Sequence, residues 1–139
     1  MSSAPRRVLG VMPSRRLPAR TTDGRMQLGI VGEAAALRLY LSRGFDLVAK
    51  NWRCPAGEVD IIVRSSGLLV FCEVKTRRGS GLGGGYEAVT HTKQRKLRQL
   101  AEMFLREHRS GADAVRFDVA SVHVSAGGRE SVELLEDAF

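Results

Sequence analysis

Residues 57–78 read GEVDIIVRSSGLLVFCEVKTRR, and two apolar runs in them, 59–63 and 68–74, flank Ser65-Ser66-Gly67. That punctuation predicts two β-strands joined by a tight turn. With Ser66 and Gly67 as the turn residues, Ser65 lies opposite Leu68, and counting back along both strands sets Asp60 across from Glu73. Side chains alternate along a strand with a period of two, so both carboxylates, and Lys75 two residues past Glu73, are expected on one face. Opposed residues of an antiparallel pair have Cβ atoms about 4.5–5.5 Å apart, where like charges destabilise. Lys75 can neutralise one of the two carboxylates. What is left is a net negative, oxygen-rich pocket that suits a hard divalent cation, Mg²⁺ or Mn²⁺.

The chain of 139 residues is long enough for one modest core. Hydrophobic residues at 43% and charged residues at 27% are ordinary for a globular domain, which excludes disorder throughout. The formal charge of +7 is unevenly spread. Residues 1–25 hold six arginines against Asp23, leaving only +2 for everything after them. Three of the four prolines also fall there, without apolar periodicity, so 1–25 reads as a disordered basic tail ahead of a domain over 26–139. An organellar transit composition and a true start at Met26 are the other readings of that tail. No run of about 18 apolar residues occurs, so nothing is expected in a membrane. Cys54 and Cys72 have no metal-type or disulfide spacing, which points to a reducing cytoplasm.

Upstream of the hairpin, Ile30, Ala34, Leu37 and Leu41 recur at helical spacing and Gly44 supplies a stop. Glu33 lies about 60° to one side of that stripe, at the edge of the buried face, where Arg38 or Lys50 could pair with it. Residues 45–52 read as a first strand, with Trp52 as packing and not a base-stacking platform. Glu58 shares the expected face of Asp60, but a strand end beside Gly57 favours a solvated role. After Lys75, Arg77 and Arg78 precede five glycines in residues 79–85, either a mobile linker or a loop that orders on a substrate backbone. Thr90 can cap a helix over 91–109 whose packing stripe is Leu97, Leu100, Ala101, Phe104 and Leu105. Lys93, Arg95, Lys96 and Arg98 crowd its first turns against the helix dipole, a placement better explained by phosphate binding than by stability. His91, His108 and His123 are scattered and read as surface residues. Residues 115–123 and 132–135 read as further strands, with Asp118 solvated or paired with Arg116.

Asp60, a hairpin spacer and Glu73-Val74-Lys75 resemble the D…(D/E)xK signature of restriction-endonuclease-like nucleases. The longer string GEVDII…LVFCEVKTRR…EAVTHTKQRKL, with RFDVASV and the closing DAF, is similar to the YraN-type family of small bacterial proteins assigned as nucleases and related to archaeal Holliday-junction resolvases. The resemblance spans residues 29–139; valine, not proline, precedes Asp60. It implies an α/β restriction-endonuclease-like core, a mixed sheet of about five strands flanked by helices. It also implies a metal-dependent endonuclease acting on DNA, on branched or repair intermediates. Asp60, Glu73 and the Val74 carbonyl would hold Mg²⁺ or Mn²⁺, and Lys75 would serve the attacking water. Glu33 and Gln94 match polar positions that complete such sites. Arg77, Arg78, Lys93, Arg95 and Lys96 would hold the nucleic-acid backbone, and cutting both strands of a junction would call for a homodimer. The rivals are a nucleic-acid-binding module without catalysis and a scaffold protein, in which the acids form a structural ion pair with Lys75.

Overall fold

The computed structural model describes residues 24–79, 90–109 and 111–139. The basic tail before residue 24 and the glycine-rich stretch over 80–89 lie outside the described residues. In chain order the elements are α1 (Gly24–Ser42), β1 (Asp46–Cys54), β2 (Gly57–Ser65), β3 (Leu68–Arg78), α2 (His91–Glu107), β4 (Ala114–Val124) and β5 (Glu130–Leu135). The strands form one sheet in sequence order, antiparallel except for the parallel pair β3–β4, whose connection contains α2. This is the mixed five-stranded sheet flanked by helices that the resemblance implies. Among the described residues no helix is long and apolar enough to cross a membrane.

The central hairpin takes the expected register: Ser65 pairs with Leu68, and the ladder runs back to Ile61 opposite Cys72. Ser66 adopts φ +54°, the left-handed conformation that a two-residue turn demands. One layer of core joins Leu97, Leu100, Ala101 and Phe104 of α2 to Val59, Ile62, Leu69, Phe71 and Phe117. The other joins Ala36 and Tyr40 of α1 to Ile61, Val63, Val70, Cys72 and Ala120. The two helices therefore cover opposite faces of the sheet. Thr90 caps α2, its side chain accepting the Lys93 N–H at 3.1 Å. Trp52 packs edge-on against Phe104, with ring centroids 5.3 Å apart, as core and not as a platform.

The buried face of α1 is not the expected one. Ile30 and Leu41 are exposed at 52% and 47%, while Gly32, Ala35, Ala36 and Tyr40 are buried. Small residues win because they let the helix approach the sheet closely. A Cβ built at Gly32 would fall inside the Thr76 side chain, 2.8 Å from its Cβ. Gly32→Ala is therefore expected to push α1 off β3 and cost about 1–3 kcal/mol, the usual penalty of overpacking. Urea unfolding measures it, and Thr76→Ala in the same chain should restore part of the loss.

The mixed charges beneath α1 are also resolved. Asp118 is fully buried and not solvated. It accepts from Tyr40 Oη at 2.6 Å, from Arg116 Nε and Nη2 at 2.9 and 3.0 Å, and from the Asp137 amide at 2.9 Å. One carboxylate thus ties α1, β4 and the C-terminal turn together. The chain end is pinned further by Phe139, which stacks on Phe117 at 5.3 Å with the Arg98 guanidinium 5.1 and 5.6 Å from the Phe117 and Phe139 rings.

Candidate active site

The alternation that places Asp60 and Glu73 on one face is interrupted at Asp60. Val59 packs in the α2 layer and Ile61, two residues on, in the α1 layer, which an unbroken strand cannot do. The partner strand changes phase at the same level, since Ala49 and Trp52, three residues apart, both pack against the α2 layer. Between them Asn51 adopts φ +51°, and the pairs Lys50–Ile61 and Trp52–Val59 leave it across from Asp60 in a step the ladder skips. On β3, Cys72 and Val74 both face the α1 layer, so Glu73 and Lys75 face the α2 side. Glu73 and Lys75 thus share a face as expected, whereas Asp60 sits at the phase change and reaches across to β3. Its Oδ2 accepts the Val74 amide at 2.8 Å, just past the last ladder pair. The hairpin forks there, and an aspartate replaces the main-chain acceptor.

Charge accumulates at the fork. Burial pushes the Asp60 carboxyl up to about 7; the Val74 N–H opposes that, and the charges of Glu73, Glu33 and Glu58 add to it. Glu33 lies on α1 in line with the buried Ala36 and Tyr40, and burial raises its carboxyl too, against the Asn51 hydrogen bond and the charge of Lys50. Neither expected partner binds it directly: Arg38 pairs with Glu130, and Asn51 Nδ2 donates to Glu33 Oε1 at 3.1 Å. The same Nδ2 lies 3.2 Å from Glu58 Oε2, and Arg53 Nε is 3.6 Å from Glu58 Oε1.

The cation on Glu73 is Lys93 from the first turn of α2, at 2.8 Å, and not Lys75. That bond holds the Lys93 ammonium above its ordinary range. Lys75 is half-buried and its side chain makes no hydrogen bond or ion pair among the described residues. Gln94 is half-buried on the packing side of α2, one turn before Leu97. The basic residues divide. Lys96 Nζ donates to the Ala56 carbonyl at 3.1 Å and Arg98 covers the two phenylalanines, so these cations have structural work at the start of α2. Arg78 and Arg95 are exposed, and Arg77 is half-buried.

The donors at the fork are hard oxygens: the carboxylates of Asp60 and Glu73 and the carbonyl of Val74, the residue after Glu73. No group of three or more His, Cys, Asp or Glu side chains among the described residues could hold an ion alone. The set fits Mg²⁺ or Mn²⁺ nonetheless, because Mg²⁺ is commonly held by one or two carboxylates and completes its shell with water and substrate phosphate. The Asp60 carboxyl, raised first by burial and then by three neighbouring acids, is also short of positive charge. The sequence reading missed Asn51, a poor strand former in mid-strand that tolerates the left-handed region, which was the available signal.

Similar proteins agree on a family and name no activity. A model described as "Uncharacterised protein family UPF0102" matches residues 32–122. A UPF0102 protein of Nocardia farcinica is 42% identical over 128 residues, covering 92% of this chain and all of that one. One of Rhodococcus opacus is 44% identical over 82% of this chain and 97% of its own length. One of Symbiobacterium thermophilum is 42% identical over 81% and 96%. The structure of Pyrococcus furiosus SfsA in complex with Ca²⁺ matches 81% of this chain and 62% of that one at 15% identity, with a TM-score of 0.36, too low to carry an argument. The family model spans the hairpin, the fork and α2 together, and the chain belongs to the uncharacterised protein family UPF0102.

Proposed function

We propose that the protein is a metal-dependent endonuclease that hydrolyses phosphodiester bonds in DNA, with branched or repair intermediates as its substrates. The observation that carries this reading is the fork itself. Asp60 is held against the Val74 amide, Glu73 and Lys75 follow on either side of Val74, and Glu33 adds a fourth polar group from α1. A strand pair built for stability would not assemble acids there at the cost of a raised carboxyl.

Asp60, Glu73 and the Val74 carbonyl would hold Mg²⁺ or Mn²⁺, which when bound polarises a phosphate and lowers the pKa of a coordinated water. Lys75, with no competing partner among the described residues, would orient the attacking water and meet the developing negative charge. Glu33 and Gln94 would fix the water's remaining hydrogen bonds. Lys93 would leave Glu73 as the ion enters and turn its ammonium to the substrate backbone, alongside Arg77, Arg78 and Arg95. Such phosphate contacts supply affinity without sequence readout. A cytoplasmic setting suits two free cysteines, one half-buried and one buried.

The test is incubation of pure protein with labelled duplex, branched, flapped and single-stranded DNA and with RNA, with and without Mn²⁺. Cleavage is expected only with the metal, and Glu73→Ala and Lys75→Ala should each lower it at least a hundredfold. Cleavage that persists in both variants would assign the activity to a contaminant. Arg95→Glu should weaken binding across all sequences and reduce the slope of log affinity against log salt by about one contact's share, roughly 0.7–0.9.

The Lys93–Glu73 ion pair favours one rival, a nucleic-acid-binding module without catalysis whose acids are structural. That reading predicts no divalent-dependent cleavage and DNA binding that Asp60→Ala leaves intact.

A further inference from the structure

We infer that Asn51 is a positioning residue for the acidic cluster, its side-chain amide fixing the Glu33 and Glu58 carboxylates beside Asp60; this rests on the nuclease reading above. Nδ2 lies 3.1 Å from Glu33 Oε1 and 3.2 Å from Glu58 Oε2, so one amide group joins α1 to β2 through β1. The amide orientation is set by chemistry: turned over, its carbonyl oxygen would face two carboxylates, whereas its NH₂ supplies two hydrogens for two acceptors.

The backbone gives a second reason for asparagine. Asn51 sits at φ +51° across from Asp60, where both strands change phase. Asparagine visits that region more readily than most side chains. Glycine would meet the backbone requirement without the donor. Glutamine would meet the donor requirement without the backbone preference. Lysine would supply a donor but also a charge, which would satisfy the carboxylates and compete with an incoming cation. A neutral donor holds Glu33, a long side chain with rotamer freedom to lose, while leaving the negative charge in place. That is the outer-shell role that orients a site's carboxylates without binding the ion itself.

The test uses the full chain and Mn²⁺ as the probe. Asn51→Gly keeps the left-handed backbone and deletes the amide, so its thermal midpoint without metal should stay within a few degrees of wild type. Its calorimetric affinity for Mn²⁺ should fall about tenfold, the lower end of what outer-shell partners contribute. In a background carrying both Glu33→Ala and Glu58→Ala the same substitution should cost less than twofold, because the groups it positions are already lost. NMR of the metal-free protein should show the Asn51 side-chain amide protons in contact with Glu33 and Glu58. An Asn51→Gly affinity equal to wild type, or an equal loss in both backgrounds, overturns the positioning role and leaves the nuclease reading standing. Wild type that binds no Mn²⁺ overturns both.

Discussion

Asp60→Asn is expected to make the metal-free protein more stable above pH 7 by about 1–3 kcal/mol, and to abolish cleavage. The sign follows from the raised carboxyl, pushed to about 7 from an ordinary value of 3.8. Between those values the folded chain keeps a proton that the unfolded chain has released, so stability declines as pH rises from about 4 to about 7 and is flat beyond. Each pH unit is worth about 1.36 kcal/mol at most, and partial solvent access reduces it. Asparagine keeps an oxygen for the Val74 amide and carries no charge, so its unfolding midpoint in urea with EDTA should vary much less over pH 4–8 than that of wild type. Added Mn²⁺ should reverse the order, stabilising wild type by mass action and leaving the variant unchanged. A site that trades stability for function behaves in this way.

Asp118→Ala should have the largest effect on folding, a loss of about 3–5 kcal/mol, because it takes both close hydrogen bonds from Arg116, leaving it only Glu136 at 3.7 Å, and unpairs the Tyr40 hydroxyl from its carboxylate. Tyr40→Phe removes one bond and leaves the Arg116 pair intact, so about 1–2 kcal/mol is expected. Urea denaturation of both variants separates the two values. Asp118→Asn should fall between them, since it retains hydrogen-bond acceptance and loses the charge opposite Arg116.

Much of this was legible in the residues themselves. The hairpin register was fixed by a two-residue turn between apolar runs, and Ser65 does pair with Leu68. The cap at Thr90 and the stripe Leu97, Leu100, Ala101 and Phe104 likewise follow from local chemistry. What was hidden depends on non-local fit. Helix α1 is apolar nearly all round, so its periodicity could not reveal that Gly32 and Ala36 face the sheet and Ile30 faces outward. The phase change at Asn51 and Asp60 escapes a strict period of two, which assumes unbroken strands; its one local signal is the asparagine in mid-strand. The pairing of Glu73 with Lys93 in place of Lys75 joins residues twenty apart, across a connection whose path no local pattern reveals. For the same reason the sequence reads all the cations at the start of α2 as phosphate binders, whereas Lys96 and Arg98 have partners within the fold.

The fork's capacity for a divalent ion is tested most directly by calorimetric titration of Mn²⁺ into wild type, Asp60→Asn and Glu73→Ala at pH 8. Saturable binding at one site per chain in wild type, weakened at least tenfold in each variant, is the predicted result. Equal heats in all three proteins, or none in any, would contradict it.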